Sequence, residues 1–165
     1  MAHLGDDKMT QEKIQLTSEG FKKLQKELEH LIHVDRQENI EALKAARSQG
    51  DLSENADYDA ARAKQAEIEG RIQEITAILD NCEVIESSGK VDSVEIGSTV
   101  TIKDLSDGQV YTYKLVSTVE SNVAENRISD ISPIGIALKG QQKGDKVKVM
   151  AKKPYDVEIL EIENK

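Results

Sequence analysis

The stretch LTSEGFKKLQKELEHL, residues 16–31, places Phe21, Leu24, Leu28 and Leu31 at spacings of three, four and three. Those intervals put the four side chains on one narrow stripe of an α-helix, the seam of a coiled coil. Thr17 stands where an N-cap belongs, and Glu19 falls in the first turn, where a carboxylate interacts favourably with the helix dipole. Beyond Leu31 the register slips, because the next heptad positions are Asp35 and Glu38 and the stripe resumes at Ile40 and Leu43. A stutter or bend is therefore expected at 33–39. A second run, Ala61, Ile68, Ile72, Ile75 and Leu79, again follows helical intervals, and Gly50 lies between the runs where a helix stops. Together they predict an antiparallel helical hairpin. About thirty residues at 1.5 Å each give a rod of roughly 45 Å.

At "ESSGK", residues 86–90, the period changes to two. Strands are expected at Val94/Ile96, Val100/Ile102 and from Val110 through Tyr111/Tyr113 to Leu115/Val116, with a hairpin turn at "SDGQ", 106–109. Further strands are expected at 128–132, 146–150 and 157–162, with a short helix near "SPIGIALKG" and a turn at 143–145. The fold class read from this pattern is α+β: a coiled-coil hairpin, then a small, mostly antiparallel sheet carrying one short helix. The expected division is a disordered extension over 1–15, the hairpin over 16–86 and the sheet domain over 87–165.

Composition narrows the function classes. The chain has 165 residues and a formal net charge of -9, which disfavours free nucleic acid as the main partner. The excess is -8 over residues 1–86 and -1 over 87–165, so the acidity belongs to the helical half. Aromatics make up 3% with no Trp, thin material for base stacking. Cys82 is the only cysteine, so no internal disulfide can form, a reducing cytoplasmic setting is expected, and Cys82 itself reads as packing. No stretch has the length of a signal peptide or membrane span, and a soluble, cytoplasmic protein with no membrane partner is expected.

The hairpin's junction, "GDLSENADYDAAR" at 50–62, packs Asp51, Glu54, Asp57 and Asp59 into nine residues without one Lys or Arg among the nine. Capping accounts for some of this: Asp51-x-x-Glu54 has capping-box spacing, Ser53 is another cap, and Asp57 and Asp59 suit a helix start. Four carboxylates exceed what one cap uses. Asp51 and Glu54, three apart, can also turn oxygens towards one hard cation, but two carboxylates hold Mg2+ weakly unless other oxygens complete its shell. Such a site on the end of a rod suggests completion in trans. His30 and His33, three apart, share a metal only if Asp35 or Glu29 supplies a third ligand; solvent-facing side chains are the simpler reading.

"GDLSENADYDAAR", with "LTSEGFKKLQKELEHL", "IEGRIQEITAIL", "ISDISPIGIALKG" and "KGDKVKV", resembles the bacterial Gre transcript cleavage factors of the GreA type, from about Leu16 to the C-terminus. The resemblance implies an FKBP-like C-terminal domain that docks on RNA polymerase while the coiled coil passes through the secondary channel. It implies that Asp51 and Glu54 help hold an Mg2+ shared with the polymerase, which the isolated protein does not bind tightly, with Asn55 and Tyr58 positioning the tip, RNA or water. The implied chemistry is endonucleolytic cleavage of backtracked RNA, with the polymerase as the enzyme. Arg47 and Arg62 then contact the nascent RNA 3′ segment, or else remain solvated charges paired with neighbouring acids. Ser132 and Pro133 match the polymerase-docking loop, or form a plain turn. Three positions depart from the family pattern: Ile136 stands in place of the frequent Arg, Lys139 in place of an apolar residue, and Glu120-Ser121-Asn122 in place of an acidic dipeptide. One Phe and no Trp leave little for a prolyl-isomerase pocket. A monomer is expected, since the hairpin buries its own seam. Two other readings stay open: a channel-binding inhibitor of the same fold, and a helical-hairpin adaptor with a merely capped, soluble tip.

Overall fold

The computed structural model describes residues 12–50, 55–86 and 92–164. Strand β1 (Ile14–Thr17) leads into α1 (Ser18–His30), a π-helical turn at Leu31–Asp35 and α2 (Arg36–Arg47). The chain returns through α3 (Ala56–Asp80) and β2 (Cys82–Ile85). Thr17 caps α1, its hydroxyl accepting from the Gly20 N–H at 3.1 Å. The slip in the apolar stripe is absorbed by the π turn, whose wider winding re-aims the seam without breaking the helix. Arg36, immediately after it, holds Glu69 of α3 through two N–H···O bonds of 2.7 and 2.8 Å.

The seam buries Leu24, Leu43 and Ala46 against Ala61, Ile68, Ile72, Ile75 and Ile78. Its last buried residue on α3 is Ile78 rather than Leu79, which packs at the edge of the cluster of Leu16, Leu24, Ile75 and Ile78. Cys82 is half-buried there, its thiol donating to the Leu79 carbonyl at 3.3 Å.

Two features differ from the sequence reading. β1 and β2 form a parallel pair in register from Ile14↔Cys82 to Thr17↔Ile85, tying off the open end of the hairpin. β1 begins inside the stretch expected to be disordered; residues 1–11 lie outside the described residues. Val94 and Ile96 are buried but belong to no strand. Val94 instead exchanges backbone bonds with Gly140 and Gln141, which anchors this loop to the end of the short helix.

The second unit is a five-stranded sheet in the order β5-β4-β3-β7-β6, with β3 at Ser98–Asp104, β4 at Val110–Val116, β5 at Arg127–Ser129, β6 at Lys146–Val149 and β7 at Tyr155–Asn164. All its pairings are antiparallel except β4 with β5. A bulge in the β3–β7 register falls between Thr101 and Ile102. Short 3-10 turns at Thr118–Glu120 and Val123–Glu125 cross from β4 to β5, and Asn126 between them and β5 takes φ 56. Helix α4 (Pro133–Leu138) lays Leu138 on a core of Val100, Ile102, Leu115, Val149, Val157, Ile159 and Ile162.

Candidate functional site

The far end of the hairpin is closed by Asn55. Its amide Nδ2 donates to the Ala46 carbonyl at the end of α2 (2.8 Å), while its Oδ1 accepts the Tyr58 N–H at 3.1 Å. Asn55 is thus the N-cap of α3 and also the clamp between the two helices. The cap expected at Asp51 or Ser53 is therefore supplied further along. Asp57 and Asp59 occupy the first turn of α3, as a helix start favours. Gly50 takes φ 101, a left-handed conformation that lets the chain leave α2. Asp51 and Glu54 lie outside the described residues.

Arg47 reaches across the junction to Tyr58, with its guanidinium carbon 6.0 Å from the ring centroid. Arg62 donates to Gln65 Oε1 at 2.8 Å along its own helix. The two arginines therefore flank the junction, one over an aromatic face and one held against α3. His30 Nδ1 lies 3.3 Å from Asp35 Oδ1, and His33 is exposed. Among the described residues no three His, Cys, Asp or Glu side chains gather in metal-binding proximity.

At the other end, Ser132 and Pro133 open α4. The Ser132 hydroxyl accepts from the Gly135 N–H (3.1 Å) and donates to the Ser129 carbonyl (2.6 Å), and Pro133 sits where a helix start tolerates it. Gly135 admits no side chain: a Cβ there meets the Ser129 carbonyl oxygen at 2.0 Å. Ile131 and Ile136 are exposed on either side of this turn. Lys139, one of the departures, pairs with Asp130 at 3.5 Å.

The third departure, Glu120, joins the two units. Its carboxylate accepts the Thr17 N–H at 2.9 Å and the Thr17 hydroxyl at 2.6 Å. Beside it, Glu19 accepts from Lys114 (3.1 Å) and Arg127 (2.9 Å). The Lys114 ammonium, by hydrogen bond and by charge, and then Arg127 hold the Glu19 carboxyl below the usual carboxylate range. Sequence reasoning did not find this joint, because its partners lie about a hundred residues apart and carry no local pattern.

A long helical hairpin clamped at its far end by Asn55, together with a mixed sheet bearing one short helix, defines a two-part protein whose candidate site residues lie at the hairpin's junction. Comparison with known proteins makes the class specific. The family model described as "Transcription elongation factor, N-terminal" matches residues 14–84, and that described as "Transcription elongation factor, GreA/GreB, C-term" matches 88–164. The chain belongs to the GreA/GreB family of transcription elongation factors. Transcription elongation factor GreA of Mycoplasma genitalium is 51% identical over 154 residues, covering 91% of this chain and 96% of that protein. GreA of Mesomycoplasma hyopneumoniae is 44% identical over 153 residues, covering 93% and 96%. Among solved structures, GreA factor homolog 1 of Thermus thermophilus is 30% identical with a TM-score of 0.43, covering 92% of this chain and 99% of its own.

Proposed function

We propose that the protein inserts its acidic tip into the RNA polymerase secondary channel and stimulates the polymerase's own Mg2+-dependent cleavage of backtracked RNA, rescuing arrested complexes. The observation that carries this reading is the clamp at the rod's end: Asn55 fixes the ends of α2 and α3 to one another, and these are the two helix ends that border Asp51 and Glu54 in the sequence. Asp51 and Glu54 supply hard oxygen donors of the kind Mg2+ takes, and two of them suit an ion whose remaining positions are filled by polymerase carboxylates and phosphate oxygens. A jointly held Mg2+ stabilises charge on the reacting phosphodiester and activates water. Asn55 ties the end of α2 to the start of α3. Tyr58 and Arg47 form the face next to it, and Arg47 and Arg62 offer positive charge to the RNA 3′ segment. Ser132 and Pro133 form the docking turn on the polymerase. The protein acts as a monomeric accessory factor, the polymerase being the enzyme.

The test is RNA cleavage in stalled, backtracked polymerase complexes with Mg2+. Wild-type protein accelerates cleavage, and Asp51→Ala and Glu54→Ala each abolish the acceleration while retaining polymerase binding. Equal stimulation by those variants removes the tip from the chemistry. Lowered RNA output without cleavage reassigns the protein as an inhibitor.

A further inference from the structure

The sheet unit carries a cleft that the tip chemistry does not use. It measures about 250 Å³ and is lined by Ile102, Asp104, Tyr111, Tyr113, Ile134 and Tyr155. A chain with four tyrosines thus commits three of them to one place, although its composition promised little aromatic material for a pocket. Tyr111 and Tyr113 project from the same face of β4, with ring centroids 6.1 Å apart and planes 15° from parallel. Tyr155 comes from the start of β7 and Ile134 from α4.

Asp104 is the charged residue of the lining, and a second carboxylate, Asp107, is hydrogen-bonded to the lining residue Tyr111. Asp104 accepts the Ser106 N–H at 2.8 Å and the Ser106 hydroxyl at 2.5 Å, and Asp107 Oδ2 accepts the Tyr111 hydroxyl at 3.3 Å. Neither carboxylate has a cationic partner among the described residues. Aromatic faces beside carboxylates attract a cation and repel an anion. A bare metal ion asks for a larger set of oxygen ligands than one wall can offer. An organic cation fits, and the volume lies below the roughly 300–1,000 Å³ of ordinary small-molecule sites, the scale of one side chain. Guanidinium suits stacked rings best, because it is planar and lies flat on an aromatic face. Ile131 and Ile136 flank Ile134 along the same turn, 67% and 66% exposed. They call for a covering apolar surface, which a protein partner brings and a free small cation does not.

We propose that this cleft receives a single arginine side chain of RNA polymerase, seated on Tyr111 and Tyr113 with its charge towards Asp104, next to the Ser132–Pro133 turn. The inference rests on the polymerase-docking reading above. It assigns the sheet unit a second, charge-specific anchor.

The experiment titrates the full-length 15N-labelled protein with N-acetyl-arginine amide and with its neutral isostere N-acetyl-citrulline amide, and measures polymerase affinity for the same variants. Saturable shifts gathered at Tyr111, Tyr113, Tyr155 and Asp104 with the arginine compound, and at least about tenfold weaker ones with citrulline, are expected. Tyr111→Phe keeps the ring face and stays near wild type. Tyr111→Leu and Asp104→Asn each weaken both arginine and polymerase binding about five- to tenfold. Unperturbed shifts at the sheet unit's core residues Leu115, Leu138, Val149 and Ile159 establish that these surface variants fold. Equal responses to arginine and citrulline overturn the proposal, as does polymerase affinity unchanged in Tyr111→Leu and Asp104→Asn while wild type binds. A wild-type chain that does not bind polymerase overturns the docking reading as well, and so separates the two failures.

Discussion

The Glu120 carboxylate sits on the first turn of α1, accepting both the backbone N–H and the hydroxyl of Thr17, residues 103 positions apart. The same threonine hydroxyl accepts from the Gly20 N–H, so one side chain caps the rod and fastens it to the sheet unit. The carboxylate also brings negative charge to the positive end of the α1 dipole.

Gly20 is what lets Glu120 approach: a Cβ there falls 1.9 Å from Glu120 Oε1. Gly20→Ala therefore displaces the carboxylate, and Glu120→Ala removes it. Each lowers stability by about 1–2 kcal/mol, the scale of partly buried charge-assisted hydrogen bonds. Denaturant unfolding of the two single variants and the double variant checks this. The double variant should lose little more than either single one, and full additivity disproves the shared contact.

Glu19 predicts the acid behaviour of the same joint. Its folded-state pKa lies below its unfolded value, so its contribution is present above the unfolded pKa and is lost as pH falls through the lowered folded one. Glu19 is 59% exposed, and solvent screening keeps the effect under about 1 kcal/mol. Unfolding measured over about pH 3–6 should show a shallower acid loss for Glu19→Gln than for wild type, with the difference shrinking in high salt. Parallel curves at every pH refute the assignment.

How far the sequence reached depends on the range of each interaction. The Thr17 cap, the two apolar stripes and the slip before residue 40 were readable because caps and helical periods are local. The slip resolves as a π turn at Leu31–Asp35. Pairing of β1 with β2 was not readable: each strand has four residues, one adjoining a polar tail and one the end of a helix, and only the closed hairpin brings them together. Val94 and Ile96 alternate like a strand, yet both lie in a loop, where Val94 is held by backbone bonds to Gly140 and Gln141. At the candidate site the acidic string stood out by composition. The cap did not, because Asp51, Ser53 and Asn55 are equally good cap residues and the choice rests on where α2 ends. The tyrosine cleft draws on β4, β7 and α4, so no single window of sequence contains it.

The seam is where the hairpin's stability is concentrated. Ile75 is fully buried in the cluster with Leu16, Leu24 and Ile78. Ile75→Ala should cost about 2–5 kcal/mol through lost apolar burial and the cavity left behind. Val34, 38% exposed on the π turn, is a suitable contrast, and Val34→Ala should stay within about 0.5 kcal/mol. Thermal unfolding separates them, and similar melting shifts for both contradict the seam as described.

Asn55 allows the link between rod stability and tip function to be cut in two. Asn55→Ala loses the cap to Tyr58 and the bond to Ala46, and should cost about 1–2 kcal/mol. Asn55→Asp keeps an oxygen for the Tyr58 N–H but turns the donor facing the Ala46 carbonyl into an acceptor, so it retains the cap and opens the clamp. The expected order in thermal unfolding is wild type, Asn55→Asp, Asn55→Ala. Under the proposed function, RNA cleavage should instead fall in both variants, because each frees the end of α2 from the start of α3, the two helix ends that border Asp51 and Glu54 in the sequence. Cleavage that follows stability alone, with Asn55→Asp close to wild type, makes Asn55 a helix cap and nothing more.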